Sequence, residues 1–212
     1  MTAVETPPAP AHQRQEQDAS LDQSAPFWST THGPVTATPD AARRWAVIGV
    51  VGLRLAIGFE FLWAFFDKLF GLGYSTSSAH AWINGGSPTK GFLSGAIGPF
   101  QGIFTAIAGA PAVDWLFMLG LLGVGLALML GVAVRPAACF GALMLAFMWL
   151  AVWVPSTTAG GQPSGSTNPF VDEHIVGIVG LIVVAALAGW GTGFLGRIWS
   201  SFPLVKKTPW LR

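Results

Sequence analysis

Charge is scarce in this sequence. Only 10% of its 212 residues are Asp, Glu, Lys or Arg, against roughly 25% in soluble domains. Hydrophobic residues make up 52%. So few charged side chains cannot clothe a water-soluble monomer of this size, and lipid is the natural solvent. The net charge of +1 removes the electrostatic basis for binding nucleic acid. A single cysteine, Cys139, excludes a disulfide framework, a dithiol exchange site and a four-thiolate cluster within the chain. The four histidines are scattered. A bis-histidine haem needs two facing rings at matched depth, and only His80 and His174 fall on one side of the expected topology. Zinc is served no better. No haem, flavin or metal motif is evident.

Tyrosine is also nearly missing, with one residue against 10 Trp and 15 Phe. The first 41 residues differ from the rest. They hold Pro7, Pro8, Pro10, Pro26, Pro34 and Pro39 among Gln, Thr and Ala, and show no helical or strand period. This composition predicts a disordered tail, expected to be cytoplasmic. It has no apolar core of the kind a signal peptide carries.

Long apolar runs fill the remainder. A helix needs about 20 mainly apolar residues to cross a bilayer. Residues 115–134, 136–155 and 175–195 meet this without a charge, and 45–66 meets it with Arg54 and Glu60 inside. Residues 91–109 are also uncharged, but Gly91, Ser94, Gly95, Gly98, Pro99 and Gln101 argue against a fifth span. Small residues four apart there suit a helix lying on or dipping into a bundle. The expected fold is an all-α membrane protein. It is a four-transmembrane-helix bundle over residues 42–200, with an external re-entrant or interfacial helix between the first and second spans. Residues 201–212 are expected to form a cytoplasmic tail.

Arg43, Arg44, Arg135, Arg197, Lys206, Lys207 and Arg212 flank one side of these spans, and Lys68 and Lys90 the other. The positive-inside rule then puts both termini in the cytoplasm. Trp45 and Trp199 fall at the inner boundary, Trp115 and Trp153 at the outer, where indole rings anchor.

The polar residues are unevenly placed. The second span has no polar side chain and the third only Cys139, which disfavours a transport path. Arg54 falls near the expected midplane, where a charge costs at least ~2.5–3.5 kcal/mol. It is expected to face the bundle and to reach for Glu60. Glu60, Asp67, Lys68, Asp114, Trp153, Asp172, Glu173 and His174 converge on the outer level. Asp114 and Asp172 are also good candidates for helix N-caps. As a site, this layer suits a quinone headgroup. Lys68, His174 or an indole would donate hydrogen bonds, and Glu60 or Asp67 would carry protons. Catalytic roles are therefore expected of Glu60, Lys68 and His174, and binding roles of Arg54, Asp67, Asp114 and Trp153. The segment 82–104 is expected to cap the pocket.

Several elements carry a family likeness. The first span reads Leu53-Arg54-Leu55-Ala56-Ile57-Gly58 and continues to Phe66-Asp67-Lys68-Leu69. The hairpin reads Gly120-Leu121-Leu122-Gly123, then Gly131-Val132-Ala133-Val134-Arg135. The external segments read Trp82-Ile83-Asn84-Gly85-Gly86-Ser87-Pro88-Thr89 and Asn168-Pro169-Phe170-Val171-Asp172-Glu173-His174. Over residues 43–195 this resembles the DoxX/DoxD family of small four-helix bacterial membrane proteins, and the Gly-Gly-Ser-Pro-Thr segment its DoxD-like branch. The resemblance implies the bacterial cytoplasmic membrane. It also implies kinship with the small membrane subunit of thiosulfate:quinone oxidoreductase, and it marks Arg54, Lys68 and Arg135. Two functions follow as expectations: a membrane subunit of a quinone-linked oxidoreductase, working with a partner subunit, or a non-catalytic membrane partner that docks soluble redox enzymes. A small transporter ranks below both.

Overall fold

The structure, a computed structural model, describes residues 39–190 and 194–211. The chain divides into residues 1–42 and 43–212, and the candidate site lies in the second unit. Residues 1–38, expected as a disordered tail, lie outside the described residues. Pro39–Ala41, assigned to that tail by the sequence, are already helical.

In chain order the helices are α1 (Pro39–Phe70), α2 (Lys90–Ser94), α3 (Gln101–Ile107), α4 (Pro111–Leu130), α5 (Val134–Val152), α6 (Glu173–Ala186), α7 (Phe194–Ser201) and α8 (Pro203–Lys207). Short 3-10 turns sit at Ser78–His80, Trp82–Asn84 and Pro209–Leu211, and a two-stranded antiparallel ribbon pairs Thr158–Ala159 with Gln162–Pro163. Helices α1, α4 and α5 are long and apolar enough to cross a membrane. The chain is thus a multi-pass helical membrane protein. Its outward-facing residues agree: Leu116, Phe140 and Val176 are among the most exposed apolar side chains.

Local chemistry sets the helix ends. Pro111 opens α4 at a position where its missing N–H is not needed. Gly131, in the left-handed conformation, closes it: Val132 N–H donates to Ala127 O at 2.9 Å and Gly131 N–H to Leu128 O at 3.3 Å. The α4 span is therefore displaced to residues 111–130, about one turn earlier than the sequence predicts. Helix α5 starts two residues earlier than expected and stops at Val152, because Trp153 is left-handed at φ 47°.

The fourth expected span, 175–195, departs most. Helix α6 covers only 14 residues, about 21 Å at 1.5 Å per residue, and turns at Leu187–Trp190 follow. Gly189, Gly191 and Gly193 crowd this stretch, each costing roughly 1 kcal/mol in a helix relative to Ala. Residues 191–193 lie outside the described residues. Beyond them the chain is helical in α7 and α8, with Val205 buried, so part of the expected C-terminal tail is ordered structure.

Glycines let the helices approach. Gly58 faces Leu128 and Met129, Gly125 faces Leu62, and Gly131 faces Arg54. These contacts run antiparallel, and they put Arg54 level with the turn between α4 and α5. Gly180 on α6 meets Ile57 and Leu53, and Gly141 on α5 meets Val124, Leu181 and Phe61. The main core lies along these crossings, and a smaller one joins Leu93, Ala96 and Phe104 to Ala151 of α5. The segment 91–109 is thus two short helices resting on α5, with neither long enough to span.

Candidate functional site

The first span's C-terminal end and the starts of α4 and α6 lie at one end of the bundle. Arg135 Nε, donating to Ala185 O at 3.3 Å, ties the other end of α6 to the α4–α5 turn. The long connections gather at the first end, where two buried carboxylates hold the first of them and a third carboxylate caps α6.

Asp67, in the last turn of α1, is 1% exposed. It accepts from Tyr74 N at 3.2 Å, Ser75 N at 3.0 Å and Ser75 Oγ at 2.6 Å. These bonds fold the chain back over the helix end. Gly71, left-handed at φ +67°, makes the reversal, and a Cβ there would come within 2.6 Å of Ser78 Cα. Lys68 Nζ donates to the same Ser75 Oγ at 3.3 Å.

Asp114 is also buried. Its Oδ1 accepts from Ser87 Oγ at 2.9 Å, Thr89 N at 3.1 Å and Thr89 Oγ1 at 2.5 Å. The Thr89 hydroxyl also accepts from Gly109 N at 3.3 Å, and the Ser87 hydroxyl from Lys90 N at 3.1 Å. Asp114 was expected as an N-cap. It is not one, because Ala110 holds that position and Asp114 lies a turn further in, where its side chain reaches the Ser-Pro-Thr turn instead.

Asp172 does cap α6, accepting from Ile175 N at 3.2 Å through Oδ1. Its Oδ2 holds Nδ1 of the buried His174 at 2.7 Å. Ligand atoms of Asp172, Glu173 and His174 lie within 4.8 Å of one another, which the cap itself accounts for. Trp153 packs over Gly98 and meets Phe100 edge-on at 6.2 Å, while Ile97 N donates to Ala151 O at 2.9 Å. Trp149 Nε1 ties down Phe170 O at 3.1 Å.

Of the three residues expected to act together, none is joined to another by a hydrogen bond or ion pair among the described residues. Glu60 lies on an exposed face of α1, Lys68 turns to Ser75, and His174 to Asp172. The expected Arg54–Glu60 pair is absent among the described residues. Side chains on a helix tilt toward its N-terminus, so Arg54 leans away from Glu60 and onto Gly131.

A cavity does lie at this end, with Trp82 and Asp114 in its lining but without the expected Glu60, Lys68 and His174. It measures about 320 Å³ and is lined by Trp82, Gly85, Gly86, Ser87, Gly109, Pro111, Asp114 and Trp115. The Trp82 and Trp115 rings meet edge-on, with centroids 4.6 Å apart. The pairing of Trp82, in a 3-10 turn, with Trp115, in the second turn of α4, spans 33 residues and has no local signature; the donor-rich Ser-Pro-Thr turn near a helix-start carboxylate is the nearest hint.

Comparison with family models, with curated proteins and with solved structures found no match.

Proposed function

We propose that this protein is a four-span subunit of a bacterial cytoplasmic membrane that docks a soluble redox enzyme on its outer face. One observation carries the reading: the buried Asp67 and Asp114 fasten two parts of the long connection between α1 and α4 onto helix ends, and Asp172 caps α6 beside them. Buried carboxylates used this way build a fixed surface, and fixed surfaces suit recognition because little ordering is lost on binding. In this reading α6 belongs to the fourth crossing, and both termini are cytoplasmic. The basic residues near the spans support that orientation. The link to redox chemistry rests on the DoxX/DoxD resemblance.

A second reading, a quinone-linked oxidoreductase subunit, is favoured by the aromatic cavity beside Asp114. A quinone ring would lie against Trp82 or Trp115 there.

The two are separated by purifying the tagged full chain in mild detergent, then extracting quinone and identifying co-purifying proteins by mass. A stoichiometric soluble partner that is lost from Asp114→Ala, with the variant still inserted, supports docking. Bound quinone lost from Trp82→Ala, without any such partner, supports the second reading and overturns the first.

A further inference from the structure

We propose that Arg54 is the receptor for an oxyanion, the phosphate of a phospholipid headgroup, at the α4–α5 turn. Arg54 is 7% exposed, and its buried Nε has no hydrogen-bond partner. Nor does any carboxylate among the described residues pair with its guanidinium. Asp67 and Asp114 hold loop segments at the opposite end, Asp172 caps α6 there, Glu173 is exposed beside it, Glu60 faces away, and Asp40 is exposed in the first turn of α1. A buried cation without a counter-charge is costly, and proteins pair such groups. No described residue supplies the counter-charge, and an anion from outside the chain would.

A second observation gives the site its shape. Gly131 packs directly on the guanidinium: a Cβ there would come within 2.7 Å of Nη1. The glycine required for the left-handed helix end is also what admits the guanidinium. The C-terminal carbonyls of α4 contribute partial negative charge beside Arg54, but half a charge spread over a helix end does not replace an ion.

Position selects the phosphate source. Helix α4 has 20 residues and α5 has 19, each about 30 Å long at 1.5 Å per residue, which matches the hydrocarbon core. The turn between them therefore meets the headgroup layer. Guanidinium binds phosphate bidentately, with a planar fork that an ammonium lacks. Arg135 enters α5 four residues beyond Gly131 and adds positive charge at the same turn. A free oxyanion shares this chemistry, so the test separates the two sources.

The full chain is purified in mild detergent, and its melting is followed during titration with phosphatidylglycerol in mixed micelles or with inorganic phosphate at constant ionic strength. Wild type is expected to be stabilised by phosphatidylglycerol at lower concentration than by phosphate. Arg54→Gln is expected to need about tenfold more lipid for the same shift, given the strength of charge-assisted bidentate contacts. Should that variant fail to fold, Arg54→Lys keeps the charge and loses the fork, and it is expected to respond several-fold more weakly. Stabilisation by inorganic phosphate alone would overturn the lipid assignment in favour of a soluble oxyanion. No response of wild type to either probe, or equal responses of wild type and the folded variants, would overturn the site.

Discussion

At the scale of single residues, burial and bonding separate side chains that the sequence could only group. Asp114 and Glu60 are both carboxylates on apolar helices, yet one is buried under three donors and the other is exposed without a bonded partner among the described residues. Asp114→Ala removes all three acceptor contacts and strands two hydroxyls and an amide. Each net hydrogen bond to a charged group contributes roughly 1.5–3 kcal/mol, so a loss of about 3 kcal/mol is expected after solvent rescues part of it. Thermal melting in detergent checks this against Gln162→Ala, an exposed ribbon position, which should be neutral. Gly131→Ala should be costly for two reasons, the left-handed backbone and the guanidinium at 2.7 Å. Gly49→Ala has open space around it and should be neutral or gain up to about 1 kcal/mol from helix propensity. Equal melting temperatures for these two glycine variants would contradict the seating of Arg54.

At the scale of elements, the sequence read well where a rule is local. Runs of apolar residues marked α1, α4 and α5, and an Asp before Glu-His-Ile marked the start of α6. The rest failed for physical reasons. Hydropathy has no signal for a left-handed Gly131, so it sets α4 a turn late. It also counts glycine as mildly neutral, so it carries the helix on through Leu187–Trp190, where the chain turns. The Asp114 latch spans 25 residues and depends on a turn geometry no pattern records. Helix crossings follow the same divide. Gly123 and Gly125 look alike in sequence, but a Cβ on Gly125 would meet Leu62 Cγ at 2.7 Å and Leu62 N at 2.9 Å, while Gly123 has nothing within 4 Å. Gly125→Ala should therefore separate α1 from α4 and cost about 1–3 kcal/mol, the usual range for overpacking. Gly123→Ala should not. Melting of the two variants side by side reads the difference directly.

At the scale of the whole molecule, a bundle with an apolar exterior carries its polar chemistry at its ends. One end is closed over by loops that buried carboxylates hold in place. The other holds Arg54 beside a glycine turn. The docking proposal requires the loop end to face away from the cytoplasm, with both long connections on that side. Accessibility to a membrane-impermeant maleimide in spheroplasts tests this most directly, on a Cys139→Ala background carrying Ser77→Cys, Thr167→Cys or Ser201→Cys singly. The expected result is labelling of positions 77 and 167 in intact spheroplasts and of position 201 only after permeabilisation. If position 77 or 167 reacts only after permeabilisation, the four-span arrangement and the outward docking surface are both wrong.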